Sequence, residues 1–154
     1  MTLPAQKNHK ALDVLLVEDN HGDAVLTHEA FKECKIAVDL IRVKDGEEAM
    51  AYLRKEGRYA EAHAPALIRL DLNLPKKNGL EVLEEVKNDP LLSEIPVMML
   101  TSSTLDADLQ NAYKSKADFY MVKPSDLDGF NEAMKYVEEI WLKSLQYQDA
   151  SEKQ

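Results

Sequence analysis

The sequence predicts an α/β fold of three layers, a five-stranded parallel sheet between two layers of helices, and three observations carry that prediction. Short apolar runs recur five times along the chain. The first of them, Leu12–Val17, is a near-continuous apolar run rather than an alternating one, as expected of a strand covered on both faces. Each is followed by a stretch with helical periodicity, and a repeated strand-helix-strand order calls for right-handed crossovers that lay helices on both sides of the sheet.

Leu12–Val17 is the first strand, and Val25, Leu26, Ala30 and Phe31 mark one face of the helix after Asn20. Val38–Val43 is the second. Asp45 stands where an N-cap is needed, with Glu47 and Glu48 in the electropositive first turn and Ala49, Met50 and Leu53 on the apolar face. Ala66–Leu72 is the third strand, and the loop Asn73–Gly79 leads to a third helix with Leu80, Val82, Leu83 and Val86, which Pro90 stops. Ile95–Leu100 is the fourth strand, Thr104 or Asp106 opens a helix to about Lys114, and Phe119–Val122 is the fifth strand. Leu127, Phe130, Met134, Val137, Ile140, Trp141 and Leu145 then recur at spacings of three and four, which predicts an extended amphipathic C-terminal helix. This is a flavodoxin-like (βα)5 three-layer sandwich. Residues 1–10 and 149–154 are polar and aperiodic, so they are expected to be tails on one domain over 11–148.

Composition narrows the function classes. A net charge of −9 disfavours nucleic acid, because binding a phosphate backbone relies on Lys and Arg displacing counterions. No apolar run is long enough to span a bilayer and no secretory h-region is present, so the chain reads as cytoplasmic, without a membrane partner. The lone Cys34 has no partner for an internal disulfide and is expected to be a buried thiol.

In open parallel sheets the ligand site lies beyond the carboxyl ends of the strands. Strand one ends in Glu18 and Asp19 and strand three in Asp71, so three acids are expected to converge. Like charges packed together raise one another's pKa values unless a cation neutralises them, and oxygen ligands of this kind suit Mg²⁺. Each acid taken singly is equally well read as a helix cap or turn residue. Strand four, however, ends in Thr101 and strand five in Lys123, adding a hydroxyl and an ammonium. A carboxylate, a Mg²⁺ site, a hydroxyl and an ammonium together are the parts phosphoryl transfer requires, since that reaction is mostly positioning and charge neutralisation. Singly, Thr101 is an ordinary β-branched strand residue and Lys123 a snorkelling surface amine.

Over roughly residues 11 to 142 the chain resembles the receiver domain of two-component response regulators. The paired acids Glu18 and Asp19, a phosphoacceptor Asp71, a hydroxyl residue Thr101, an aromatic Tyr120 and the dipeptide Lys123-Pro124 match that family's pattern. Thr101, Tyr120 and Lys123 follow Asp71 by 30, 49 and 52 residues, in the family's register. The stretches around Asp71-Leu72-Asn73-Leu74-Pro75 and Lys123-Pro124-Ser125-Asp126 look most similar to the small regulators of cyanobacterial and bacterial phytochromes. The resemblance implies that Asp71 takes a phosphoryl group from a phytochrome-type histidine kinase, with Asp19, Asp71 and the carbonyl of Asn73 holding Mg²⁺ and Glu18 reaching it directly or through water. It further implies that Lys123 pairs with Asp71 and then with the phosphoryl oxygen, and that the Lys123-Pro124 peptide is cis. On phosphorylation Thr101 would move toward the phosphoryl group and Tyr120 would swing inward; the structural alternative for Tyr120 is a half-buried strand aromatic with its hydroxyl in water. Such a protein is a signalling component rather than an enzyme: it catalyses only its own phosphorylation and slow autodephosphorylation, and acts through a downstream protein target.

Arg69 departs from the pattern. It lies two residues before Asp71, on the same side of a central strand, where an apolar residue is usual; a buried guanidinium there must find a partner or an exit. Asn78 and Ser102 also depart from the usual residues. Two other readings compete with this one. A magnesium-dependent phosphatase or nuclease lacks support, since Asp71-Leu72-Asn73 has no second Asp and no Gly-rich phosphate loop is present. A degenerate receiver, binding partners without phosphorylation because Arg69 disturbs the pocket, is the closer alternative. Finally, the C-terminal helix overhangs the domain with Trp141, Leu145 and Tyr147, and Phe119 adjoins them, which predicts a homodimer through Phe119, Trp141 and Leu145.

Overall fold

The computed structural model describes residues 12–33, 37–72, 74–101 and 116–122 and, within 128–139, positions 128, 129, 131, 132, 135, 138 and 139. Its elements are β1 (Leu12–Val17), α1 (His21–Lys32), β2 (Val38–Val43), α2 (Gly46–Leu53), a 3-10 turn at Gly57–Tyr59, β3 (Leu67–Asp71), α3 (Gly79–Asn88), β4 (Val97–Thr101) and β5 (Phe119–Val122). All four strand pairings are parallel, and the strand order is β2-β1-β3-β4-β5. The winding therefore reverses between β1 and β3, the crevice where open α/β sheets bind ligands.

Strand periodicity sorts the core onto two faces. Leu15, Val17, Ile68, Leu70 and Met99 pack on one side with Met50 and Leu53 of α2 and Val82, Leu83 and Val86 of α3. Val14, Leu67, Met98 and Leu100 pack on the other with Ala30 and Phe31 of α1. Every residue of β3 is buried, which accounts for its unbroken apolar run apart from Arg69 and Asp71.

Local signals set the helix starts. The Asp45 side chain accepts from the Glu48 amide at 2.7 Å, as expected of an N-cap. Asn78 and Glu81 form a reciprocal capping box at 2.9 and 3.1 Å, so the departure at Asn78 starts α3. Asp89 is extended, with ψ 117°, because the following Pro90 excludes helical backbone there, and α3 ends as expected.

The structure differs from the sequence-based expectation in three places. β3 is one residue shorter at each end than Ala66–Leu72. β4 runs Val97–Thr101 rather than Ile95–Leu100; at its start Pro96 has no N–H to donate, although its carbonyl accepts from Ile68 at 2.9 Å. On α1, Val25 is 44% exposed, and Ala24 and Thr27 take the inward positions. Thr27 can be buried because its hydroxyl donates to the Asp23 carbonyl at 2.9 Å. The expected helix from Thr104 or Asp106, Cys34, the two tails, the Lys123-Pro124 peptide and the overhang beyond Ile140 lie outside the described residues.

A polar cluster ties the 3-10 turn to α2. Burial pushes the Glu48 carboxyl up, but the Tyr59 hydroxyl at 2.6 Å, the Lys44 amide and Arg58 all donate to it, and together they hold it below the ordinary 4.5. A depressed carboxyl stabilises the fold above its unfolded pKa, and that contribution is lost as pH falls through the folded one. Tyr59→Phe should therefore cost about 1 kcal/mol near neutral pH and less in acid, below the ordinary carboxyl pKa. Urea denaturation at the two pH values checks this; a loss that does not shrink in acid would contradict it.

Candidate functional site

The acids come together because β1 and β3 are neighbours in a fixed register. Val17 pairs with Leu70, so one step further along the strands Glu18 stands level with Asp71. One carboxylate oxygen from each of Glu18, Asp19 and Asp71 lies within 4.8 Å of the other two. Glu18 is fully buried, Asp71 is 6% exposed, and Asp19 faces solvent. An all-oxygen donor set of this density, open on one side, fits a hard divalent cation that keeps some of its waters.

The backbone under the acids is fastened from the edge strand. Arg42, near the end of β2, donates from Nε to the Glu18 carbonyl at 3.0 Å and from Nη2 to the Asp19 carbonyl at 3.2 Å. Asn20 then caps α1, its side chain accepting from the Asp23 amide at 2.9 Å. The loop that carries the acids thus passes directly from strand to capped helix.

Two glycines seat the loop that follows Asp71. The Gly79 amide donates to the Leu72 carbonyl at 3.0 Å, and a Cβ at Gly79 would lie 2.6 Å from the Asp71 carbonyl oxygen. A Cβ at Gly46, the first residue of α2, would lie 1.9 Å from the Lys77 carbonyl oxygen. Backbone approach this close is possible only without a side chain. Lys77 also pairs with Glu85 of α3, and Lys76 lies 3.7 Å from Asp45.

Arg69 finds its partner inside. Its Nη1 donates to Glu18 Oε1 at 2.7 Å, and both side chains are fully buried. Arg69 pairs with Leu16 in the strand register, so Glu18 stands diagonally across, within reach of the long guanidinium side chain. The second Glu18 oxygen, Oε2, accepts from the Asn20 amide at 3.2 Å.

The other expected residues divide between those described and those outside. Thr101 ends β4 opposite Val122, and β4 lies beside β3, where the Leu72 amide donates to the Leu100 carbonyl at 3.2 Å. Tyr120 is half-buried and packs against the core cluster that contains its strand partner Met99. Phe119 is also half-buried and packs on the opposite cluster with Met98. Asn73, Lys123, Pro124, Trp141 and Leu145 lie outside the described residues. Sequence reasoning passed over Arg42, Gly46 and Gly79. Arg42 left a signal, the one cation in its strand, placed near the strand's carboxyl end; the need for glycine at position 46 left none, because the chain it meets is 31 residues away.

Comparison with known proteins agrees with this geometry. Residues 14–135 match the model of the response regulator receiver domain. The chain is 40% identical over 132 residues to the response regulator Rcp1 of Synechocystis sp. PCC 6803, covering 86% of this chain and 90% of that one. Among solved structures it is similar to the phosphorylated cyanobacterial phytochrome response regulator RcpA, with a TM-score of 0.78 and 44% identity over 88% of this chain and 96% of that one. It is also similar to the Mn²⁺-bound form of Rcp1, with a TM-score of 0.76 and 40% identity over 85% of this chain and 94% of that one. A receiver sheet in the 2-1-3-4-5 order, with three acids gathered at its switch point and this likeness over most of its length, belongs to a phosphoryl-accepting component of a two-component system: the chain is a member of the response-regulator receiver family.

Proposed function

We propose that this receiver takes a phosphoryl group onto Asp71 from the phosphohistidine of a phytochrome-type histidine kinase and signals through protein contacts. The observation that carries the reading is the convergence of Glu18, Asp19 and Asp71 at the carboxyl ends of β1 and β3. The phytochrome link rests on likeness to regulators described as phytochrome response regulators. The kinase draws on ATP, so we assign the chain to the cytoplasm.

In the proposed step an Asp71 carboxylate oxygen attacks phosphorus in line with the leaving imidazole. The O–P bond forms as the N–P bond breaks, and the imidazole leaves as the neutral ring after taking a proton. Asp19, Asp71 and the Asn73 carbonyl would hold Mg²⁺, with Glu18 reaching it directly or through water, and the ion would supply the positive charge that lets anionic carboxylate and phosphoryl oxygens meet. Lys123 pairs with Asp71 and then with the phosphoryl oxygen, and its peptide to Pro124 is cis. Thr101 donates its hydroxyl to the phosphoryl group, and Tyr120 turns inward to fill the space it vacates. The only turnover is of the protein's own acyl phosphate.

Treatment with acetyl phosphate and Mg²⁺ should add one phosphoryl group by mass, and EDTA should suppress the addition to background. Undiminished labelling in chelator would sink the metal assignment. The protein is further expected to be a homodimer, paired through Phe119, Trp141 and Leu145, that hands its signal to a protein rather than to DNA or a membrane. Sedimentation at tens of micromolar checks the dimer; a monomer there, unaffected by Trp141→Ala and Leu145→Ala, rejects it. A specific gel shift at moderate salt would reject protein-only output.

A further inference from the structure

The ion pair between Arg69 and Glu18 has no obvious structural reason to exist. Burying two charges is seldom a net gain over burying apolar side chains of similar volume, because desolvation offsets their attraction. Position 69 is in the central strand, between β1 and β4, with Leu67, Ile68 and Leu70 around it, and any of these residue types would fill it. The pair joins one of the three pocket acids, Glu18, to a cation of the neighbouring strand. Both oxygens of Glu18 accept from protein donors, Oε1 from the Arg69 guanidinium and Oε2 from the Asn20 amide. Glu18 is thereby held in one orientation with its charge compensated from inside the sheet.

We propose that Arg69 is a built-in counter-cation of the acidic pocket, which holds Glu18 as an ion-paired anchor and leaves divalent-cation binding to Asp19 and Asp71, so that Arg69 sets how tightly this receiver binds the cation. This rests on the receiver reading of the pocket given above. The physical basis is charge bookkeeping at short range. Three carboxylates attract a divalent ion more strongly than three carboxylates with a guanidinium bonded to one of them, and in a buried setting that difference is weakly screened. Arg69 is a positioning residue: it acts through Glu18.

Magnesium chloride alone, titrated calorimetrically into the full chain and its variants, tests this without any phosphoryl donor. Arg69→Met should bind Mg²⁺ at least about tenfold more tightly than the unaltered protein, since it removes a positive charge beside the site. It should also melt lower without Mg²⁺ and recover on its addition, because Glu18 then lacks its compensating charge until the ion arrives. The double variant Arg69→Met/Glu18→Gln removes both charges together and should fold even if the single variant does not. Its Mg²⁺ affinity should stay within about threefold of the unaltered protein, the pair being nearly neutral toward the ion. Affinity in Arg69→Met that is equal to or weaker than that of the unaltered chain overturns the proposal, as does a double variant more than tenfold weaker, which would make Glu18 a ligand in its own right. If neither the unaltered chain nor Arg69→Met binds Mg²⁺, the receiver reading of the pocket falls and takes the proposal with it; binding that Arg69→Met leaves unchanged overturns the proposal alone.

Discussion

Asp71→Asn should reduce phosphoryl incorporation from acetyl phosphate, or from a phosphorylated histidine kinase, to background. Asp71 shares a pocket with Glu18 and Asp19, but Glu18 is bound at both oxygens and Asp19 is exposed at the pocket's edge. Only Asp71 ends the central strand, beside the ends of β1 and β4. The amide is nearly isosteric, so the fold should persist, and removing one of three crowded negative charges should hold or raise the melting temperature by about 2–4 °C, on the order of 1 kcal/mol. Intact-protein mass spectrometry reads the first effect and thermal denaturation the second. Full labelling of the variant would move the acceptor elsewhere; loss of labelling with a lowered melting point would make the variant uninformative about chemistry, and Asp71→Ala would then be compared.

The next largest effect is expected at a residue with no chemistry of its own. Gly46→Ala places a methyl group 1.9 Å from the Lys77 carbonyl oxygen and 2.7 Å from its carbonyl carbon. These are backbone atoms, so the contact cannot be relieved by a rotamer change, and either α2 or the loop after Asp71 must shift. The Gly46 amide also donates to the Pro75 carbonyl at 3.4 Å, and Lys76 reaches Asp45 beside it, so a shift would disturb several contacts of that loop. Overpacking of this kind costs about 2 kcal/mol, a fall of roughly 4–8 °C in melting temperature. Phosphorylation by acetyl phosphate should slow as well, because the displaced loop leads directly from Asp71. Gly57 supplies the control: it has φ +58° but nothing within 4 Å of a Cβ, so Gly57→Ala should cost only about 1 kcal/mol of local strain and leave labelling unchanged. If Gly46→Ala melts within a degree or two of the parent, the close approach of α2 and the loop is wrong.

Much of this molecule is written locally in its chain. The apolar run at Leu12–Val17, broken only by Asp13, and the apolar-rich segment Val38–Val43 became strands with those bounds, because short apolar stretches between turn signals are read locally. Asp45 and Pro90 marked a helix start and a helix stop through backbone effects that act within four residues. The α/β alternation then left one handedness of crossover, and with it the expectation that acids at successive strand ends would share a crevice. Asn78 with Glu81 carried a capping signal of the same local kind that went unread.

The sequence by itself thus determined the five strands, the first three helices, the parallel arrangement of the sheet and the three acids at the switch point. What only the tertiary structure decided were the contacts between parts of the chain far apart in sequence. Arg69 could be seen to need a partner, but only the diagonal register of β3 on β1 chose Glu18, 51 residues away. The Arg42 clamp on the Glu18 and Asp19 carbonyls required β2 to pair with β1, and the demand for glycine at 46 and 79 arose from backbone segments meeting in three dimensions. On α1, periodicity marked an apolar face but not its rotation against the sheet, and Val25 came to solvent while Thr27 went inside. The physical reason is common to all of these: propensity, capping and periodicity act over a few residues, whereas the pairing of a buried charge and the closeness of two backbones are fixed only when distant segments pack.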